Sequence, residues 1–167
     1  MKLFSANIED LRTLYVSNLR KALDMEQSIT KALPKLIDNA TDPELVNALD
    51  SHLGETQGHV AKVQRLLEIN ADDTSTETCK AIGGLTTEAS DSIKDATDPA
   101  IRDIVIISSA QQVEHHEIAV YGTLRHWAEI LGLSGDADVL ESIETDEIRA
   151  DELLTEISNT VNFQAAL

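Results

Sequence analysis

Apolar side chains recur at steps of three and four along four long stretches of this chain, the spacing that puts them on one face of an α-helix. The first covers roughly residues 7–37, with Ile8, Leu11, Tyr15, Leu19, Ala22, Ile29, Leu33 and Leu36 on its stripe. Pro34 falls near its end, where it is expected to kink or tighten the last turn. The second opens at Asp42-Pro43, a cap residue followed by proline at the first helical position, and continues through Leu45, Leu49, Val60, Val63 and Leu67 to Ile69. The third opens with the same pair, Asp98-Pro99, and runs to Leu131, where Gly132 reads as a stop. The fourth begins near Asp136 or Ala137 and carries Leu140, Leu154, Ile157 and Val161. Residues 162–167 are expected to fray or to pack as a short extension.

The links between the stretches set the topology. Residues 39–41 and 132–135 are short connections, which make antiparallel neighbours. Residues 70–97 form a longer one. It starts polar (Asp72-Asp73-Thr74-Ser75-Thr76) and then offers a weaker helical pattern through Cys79, Ile82, Leu85, Ala89 and Ile93. Two helical hairpins joined by one long crossover define an all-α, ferritin-like antiparallel four-helix bundle, here with a short extra helix on the crossover. With 167 residues, the chain is expected to be a single domain over 1–167. Seven Gly and three Pro are too few for a sandwich or barrel, which needs a turn signal every ~8–12 residues. The repeated Ala-Thr-Asp-Pro at 40–43 and 96–99 precedes non-equivalent helices, so it is reused capping chemistry rather than duplication.

Thirty Asp and Glu against thirteen Lys and Arg give a formal charge of −17. Such a field repels phosphate backbones, which argues against a nucleic-acid partner, and it attracts cations. No apolar run approaches the ~18 residues of a membrane span, and the first residues lack the hydrophobic segment of a signal peptide. The expected location is cytoplasmic, without a membrane partner. Cys79, the lone cysteine, has no partner for an internal disulfide and reads as a small hydrophobe.

What interrupts the stripes points to chemistry. Glu26 stands among Leu19, Ala22, Ile29 and Leu33. Glu114 and Glu117 replace core residues between Ala110 and Tyr121. Glu144, Glu147 and Asp151 share a face between Leu140 and Leu154, while His52, Glu55 and His59 occupy adjacent turns of the second helix. Each interruption lies near the midpoint of its helix, and in an antiparallel bundle midpoints meet at one level. A single Glu among thirty acids is ordinarily a solvated face residue. Interruption of four stripes at one depth is not explained that way. Burying these carboxylates without counter-charge would cost several kcal/mol per ion, and the inward positions hold no Lys or Arg. Extensive protonation or bound cations would relieve that cost. Hard oxygen donors with one or two imidazoles suit a pair of iron or manganese ions. Of His52 and His59, one is expected to ligate; the plainer role for either is a partly exposed helix histidine. His115 and His116 point away from Glu114 and are expected at the surface or behind the ligands. Tyr121, one turn after Glu117, is the candidate catalytic residue, able to hydrogen-bond a ligand or carry an oxidising equivalent; its plainer role is core packing. Phe4, Trp127 and Phe163 are candidate core or interface anchors.

The run Gln112-Val113-Glu114-His115-His116-Glu117-Ile118-Ala119-Val120-Tyr121-Gly122-Thr123-Leu124 resembles the signature of the YciE/YciF family of ferritin-like bacterial proteins. The segments 52–60, 31–35 and 79–82 are similar to its other hallmarks, so the resemblance covers nearly the whole chain. It implies a ferritin-like bundle with an added short helix, a di-metal centre, a link to stress responses, dimers and a presumed ferroxidase activity. Related rubrerythrin-like centres carry Glu-x-x-His on helices two and four. Here Gly58 stands where Glu55 would place that histidine, and Glu144-x-x-Glu147 lacks one. The site is therefore richer in carboxylate than rubrerythrin's, which removes the basis for carrying over its peroxidase activity. No rubredoxin-type cysteine pairs supply a built-in electron donor.

These readings converge on one expectation. Glu26, Glu55, Glu114, Glu117, Glu144 and Glu147, with His52 or His59, hold two divalent ions at mid-bundle, and Fe(II) is oxidised there by dioxygen or peroxide. A di-manganese centre dismutating peroxide and a non-catalytic, metal-stabilised acidic bundle remain as alternatives. The basic residues look scattered along the sequence, which favours a homodimer over a mineral-storing shell.

Overall fold

Three aspartates mark where helices begin. Asp10, Asp42 and Asp98 each turn a carboxylate back onto the first turn, accepting from the backbone N–H groups of Thr13 (2.7 Å), of Glu44 and Leu45 (2.9 and 3.0 Å), and of Ile101 (3.0 Å). In the computed structural model, which describes residues 8–165 and no side chain beyond Asn162, these caps introduce α1 (Leu11–Asn39), α2 (Pro43–Ala71) and α4 (Pro99–Ile130). The crossover carries α3 (Lys80–Asp95), and α5 (Ser134–Ala165) completes the chain. The third and fourth long stretches are thus α4 and α5.

Two helix starts differ from those expected. The first helix starts at Leu11, because Asp10 closes its first turn through both its side chain and its carbonyl, which accepts from Leu14 N–H at 3.1 Å. The last starts at Ser134, two residues early, because Gly132 reverses the chain at φ 72° and Ala137 N–H already bonds Leu133 at 3.0 Å. Pro34 lies inside α1, which continues to Asn39. Phe4 and the Phe163 side chain lie outside the described part.

Helices α1 and α2 form one hairpin and α4 and α5 the other; α2 meets α5, α1 meets α4, and α3 lies over the α1–α4 seam. This is the ferritin-like antiparallel bundle with its crossover helix. A buried aspartate fastens each end. At one end Asp103 of α4 accepts from Thr41 N–H (2.8 Å), Thr41 Oγ1 (2.7 Å) and Asp42 N–H (2.9 Å), tying the α1–α2 turn to the second hairpin. At the other, Asp136 of α5 accepts from Tyr15 of α1 (2.9 Å) and Asn70 of α2 (2.7 Å).

The polar start of the crossover is sewn along α1. Arg20 reaches Asp73 (2.9 Å through Nη2) and the Ser75 carbonyl (3.0 Å), Ser17 donates to Glu77 (2.7 Å), and Asp24 accepts from Cys79 N–H (2.8 Å). Apolar layers lie on either side of mid-bundle. Leu33, Leu45, Leu49, Ile106 and Ile157 pack toward the Asp103 end, and Leu19, Leu67, Leu124, Leu140 and Ile143 toward the Asp136 end. Each fully buried Leu or Ile contributes ~1.5–3 kcal/mol, so the layer between them is held on rigid elements. Among the described residues no helix is long and apolar enough to cross a membrane.

Candidate metal centre

The layer between the apolar ones is acidic. Glu26 (α1), Glu114 and Glu117 (α4) and Glu147 (α5) are buried there with His52 and His59 (α2). These six fall into two groups whose ligand atoms lie within 4.8 Å of one another: His52, Glu114, Glu117 and Glu147, and Glu26, His59 and Glu147. Glu147 is common to both. Its Oε1 stands 2.9 Å from His59 Nδ1 and its Oε2 stands 4.0 Å from His52 Nδ1, so one carboxylate faces both groups. His52 Nε2 is 3.2 Å from Glu114 Oε1, and His59 Nδ1 is 4.0 Å from Glu26 Oε1.

Several of these side chains are held by neighbours. His59 Nε2 lies 3.2 Å from Asp146 Oδ2. With the proton on that nitrogen, the Nδ1 lone pair faces Glu26 and Glu147, the arrangement by which a carboxylate orients a metal-binding imidazole. Asp146 itself sits near Lys62 and Arg149, each at 3.5 Å. The Tyr121 hydroxyl donates to Glu26 Oε1.

The donor set fits cations. Among the described residues ten buried side-chain polar atoms have no hydrogen-bond partner, and nine belong to these six residues, including both oxygens of Glu117 and of Glu147. Buried polar groups are otherwise almost always partnered, and bound cations could satisfy a cluster as dense as this. Four carboxylates carry a formal charge of −4, which two divalent ions neutralise. Oxygen donors with two imidazoles are the chemistry of iron and manganese sites.

Without cations the electrostatics are strained. Burial pushes the Glu26 carboxyl up to about 8, reinforced by Glu147 and opposed by His59 and Tyr121. Burial raises Glu114 and Glu117 well above the ordinary carboxylate range, and neighbouring carboxylates add to it. Burial also raises the Tyr121 hydroxyl and lowers His52. Burial pulls His59 down as well, but Glu147, Glu26 and Asp146 outweigh it and leave the imidazole more basic than usual.

The other sequence candidates take different places. Glu144 is not brought to the centre: its Oε2 pairs with Arg125 Nε at 2.8 Å, and a Cβ on Gly122 would stand 2.7 Å from its Oε1. The missing side chain at Gly122 gives Glu144 its room, and Arg125 supplies a counter-charge that the inward stripe positions lack. Glu55 is half exposed, with Oε2 3.8 Å from His52 Nδ1. It lines a small cavity of about 100 Å³ that also meets His52 and Glu114. His115 is exposed, 3.4 Å from Asp151, and His116 meets Cys79 Sγ at 3.7 Å, both away from the buried layer. Asp146 escaped the sequence reading because it lies off the apolar stripe; its only signal is adjacency to Glu147.

Fold and centre together define a ferritin-like bundle with a buried carboxylate–histidine layer. Residues 10–166 match the family described as Domain of unknown function (DUF892), and the chain belongs to that family. It is 32% identical over 161 residues to Protein YciF of Escherichia coli strain K12, covering 95% of this chain and 97% of that protein. Among solved structures, YcfI of Rhodopseudomonas palustris, described as a candidate structural protein, superposes with a TM-score of 0.88 at 38% identity, over 92% of this chain and 98% of that one. The E. coli stress protein YciF gives 0.87 at 30%, over 92% and 97%. The YciE/YciF resemblance read from residues 112–124 and these matches agree.

Proposed function

We propose that this chain binds two divalent metal ions at mid-bundle and oxidises Fe(II) with dioxygen or peroxide in a stress response. The observation that carries the reading is Glu147, a buried carboxylate with one oxygen toward each of two donor groups. A pair of Fe(II) ions held there would supply two electrons, one each, which with two protons reduce dioxygen to hydrogen peroxide or hydrogen peroxide to two waters. Glu26, His59 and Glu147 would hold one ion, and His52, Glu114 and Glu117 with the other oxygen of Glu147 the second. Tyr121 fixes the Glu26 carboxylate by donating to Oε1, and Asp146 fixes the tautomer of His59. The apolar layers on both sides keep bulk water from the carboxylates, which strengthens their hold on cations. The stress assignment follows the relative described as a stress protein.

A second reading has its own support: one similar structure is described as a candidate structural protein. In that case metal would serve only stability. Replacing Glu117 by Gln separates the two. Stopped-flow absorbance after oxygen or peroxide is added to the Fe(II)-loaded protein should show iron oxidation that falls by two orders of magnitude or more in Glu117→Gln, with helicity intact. Oxidation no faster than that of free Fe(II) in the wild-type protein would leave the structural reading. Oxygen evolution from peroxide by the manganese form, without iron oxidation, would indicate dismutation instead.

A further inference from the structure

A cavity of about 710 Å³ opens between α1, α3 and α4, and His52 and Glu114 form part of its lining. It is far larger than the few atoms of dioxygen or peroxide require, and it falls within the ~300–1,000 Å³ typical of small-molecule sites. Its character is two-sided. Ile29, Leu33, Leu36, Ile93 and Val113 give it an apolar length, while Lys31, Lys35 and Lys94 stand around it. Asp38, Asp91 and Glu114 also line it, so three basic residues meet three acidic ones, a balance of sign in a chain of net charge −17. Lys31 and Lys35 are one turn apart on α1, and Lys94 of α3 lines the same cavity. Lys94 is occupied by Asp91 at 3.2 Å. Among the described residues Lys31 and Lys35 have no ion-pair partner, which leaves two cations available at the cavity. At the inner wall the His52 nitrogens and Glu114 Oε2 are buried and make no hydrogen bond.

We propose that this cavity binds an amphipathic organic anion, a carboxylate with an apolar body, held by Lys31 and Lys35 with its body along Ile29, Leu33 and Ile93 toward the His52–Glu114 wall. With Lys94 paired to Asp91 and Glu114 facing His52, the two unpaired lysines outnumber Asp38 and favour an anion, and the apolar lining favours a hydrocarbon body over a bare oxyanion. As a substrate site the assignment rests on the metal reading above; as a binding site it stands without it.

Octanoate is a suitable probe. Calorimetric titration of the full chain should give saturable binding at one octanoate per chain, weakened five- to tenfold by Lys31→Glu with Lys35→Glu and abolished by Ser90→Trp, which fills the cavity from α3. Octylamine and inorganic phosphate should not saturate. Unsaturable heats with octanoate, or wild-type affinity in both variants, would overturn the proposal, as would equal binding of octylamine. A parallel Fe(II) titration separates the two readings. Iron bound without octanoate binding removes this inference alone. Octanoate bound without iron keeps the binding site but refutes its role as a substrate site.

Discussion

Glu147 is an ordinary stripe position by spacing, and what makes it central is its company. Glu26, Glu114, Glu117 and Glu147 were legible because a carboxylate in an apolar stripe breaks a periodic pattern. Both histidines of α2 belong to the buried layer, a choice that spacing alone left open between His52 and His59. Asp146 and Arg125 were not legible, since each acts through a partner on another helix, and helix periodicity carries no cross-chain information. The same electrostatics predict a pH response of the metal-free protein. Glu26 sits at about 8 against an ordinary 4.5, so the folded chain holds that proton where the unfolded chain releases it. Its stabilising effect is complete below the ordinary value and is lost as pH rises toward 8, on the order of several kcal/mol; the raised Glu114 and Glu117 add to it. Thermal melts of metal-free protein should therefore show a falling Tm from pH 5 to 8. Saturating divalent metal should flatten or reverse that slope, because binding displaces the same protons. A metal-free Tm that rises through this window would contradict the ionisation described.

Helix starts and stops were readable to within a few residues, because Asp-Pro pairs and Gly132 act locally. The fastening of helix ends was not. Asp103 looks from the sequence like one more acid in α4, yet it accepts three hydrogen bonds from residues 41 and 42. Asp103→Ala would leave two buried backbone N–H groups and a hydroxyl without their acceptor. The expected loss is ~2–4 kcal/mol in denaturant unfolding, with the number of metal ions bound unchanged. A loss below ~0.5 kcal/mol would show that water or a neighbour replaces the carboxylate. The crossover start was likewise visible only as polar over residues 72–76. Its order comes from Arg20, Ser17 and Asp24 on α1, which no pattern within the segment reveals.

At the scale of the whole molecule, charge argues about assembly. Packing many copies of a −17 chain accumulates repulsion. We expect a homodimer without a mineral core, to be read by light scattering at moderate ionic strength; a particle of about two dozen chains would instead indicate a storage shell. The central claim is that the acidic layer exists to hold two cations, because six oxygens of its four buried carboxylates otherwise lack a hydrogen-bond partner. Anaerobic equilibrium titration of the metal-free chain with Fe(II) tests this most directly. Saturation at two ions per chain, with a rise in Tm that Glu147→Gln removes, is the predicted result. Saturable binding that is absent, or that survives unchanged in Glu147→Gln, would contradict it.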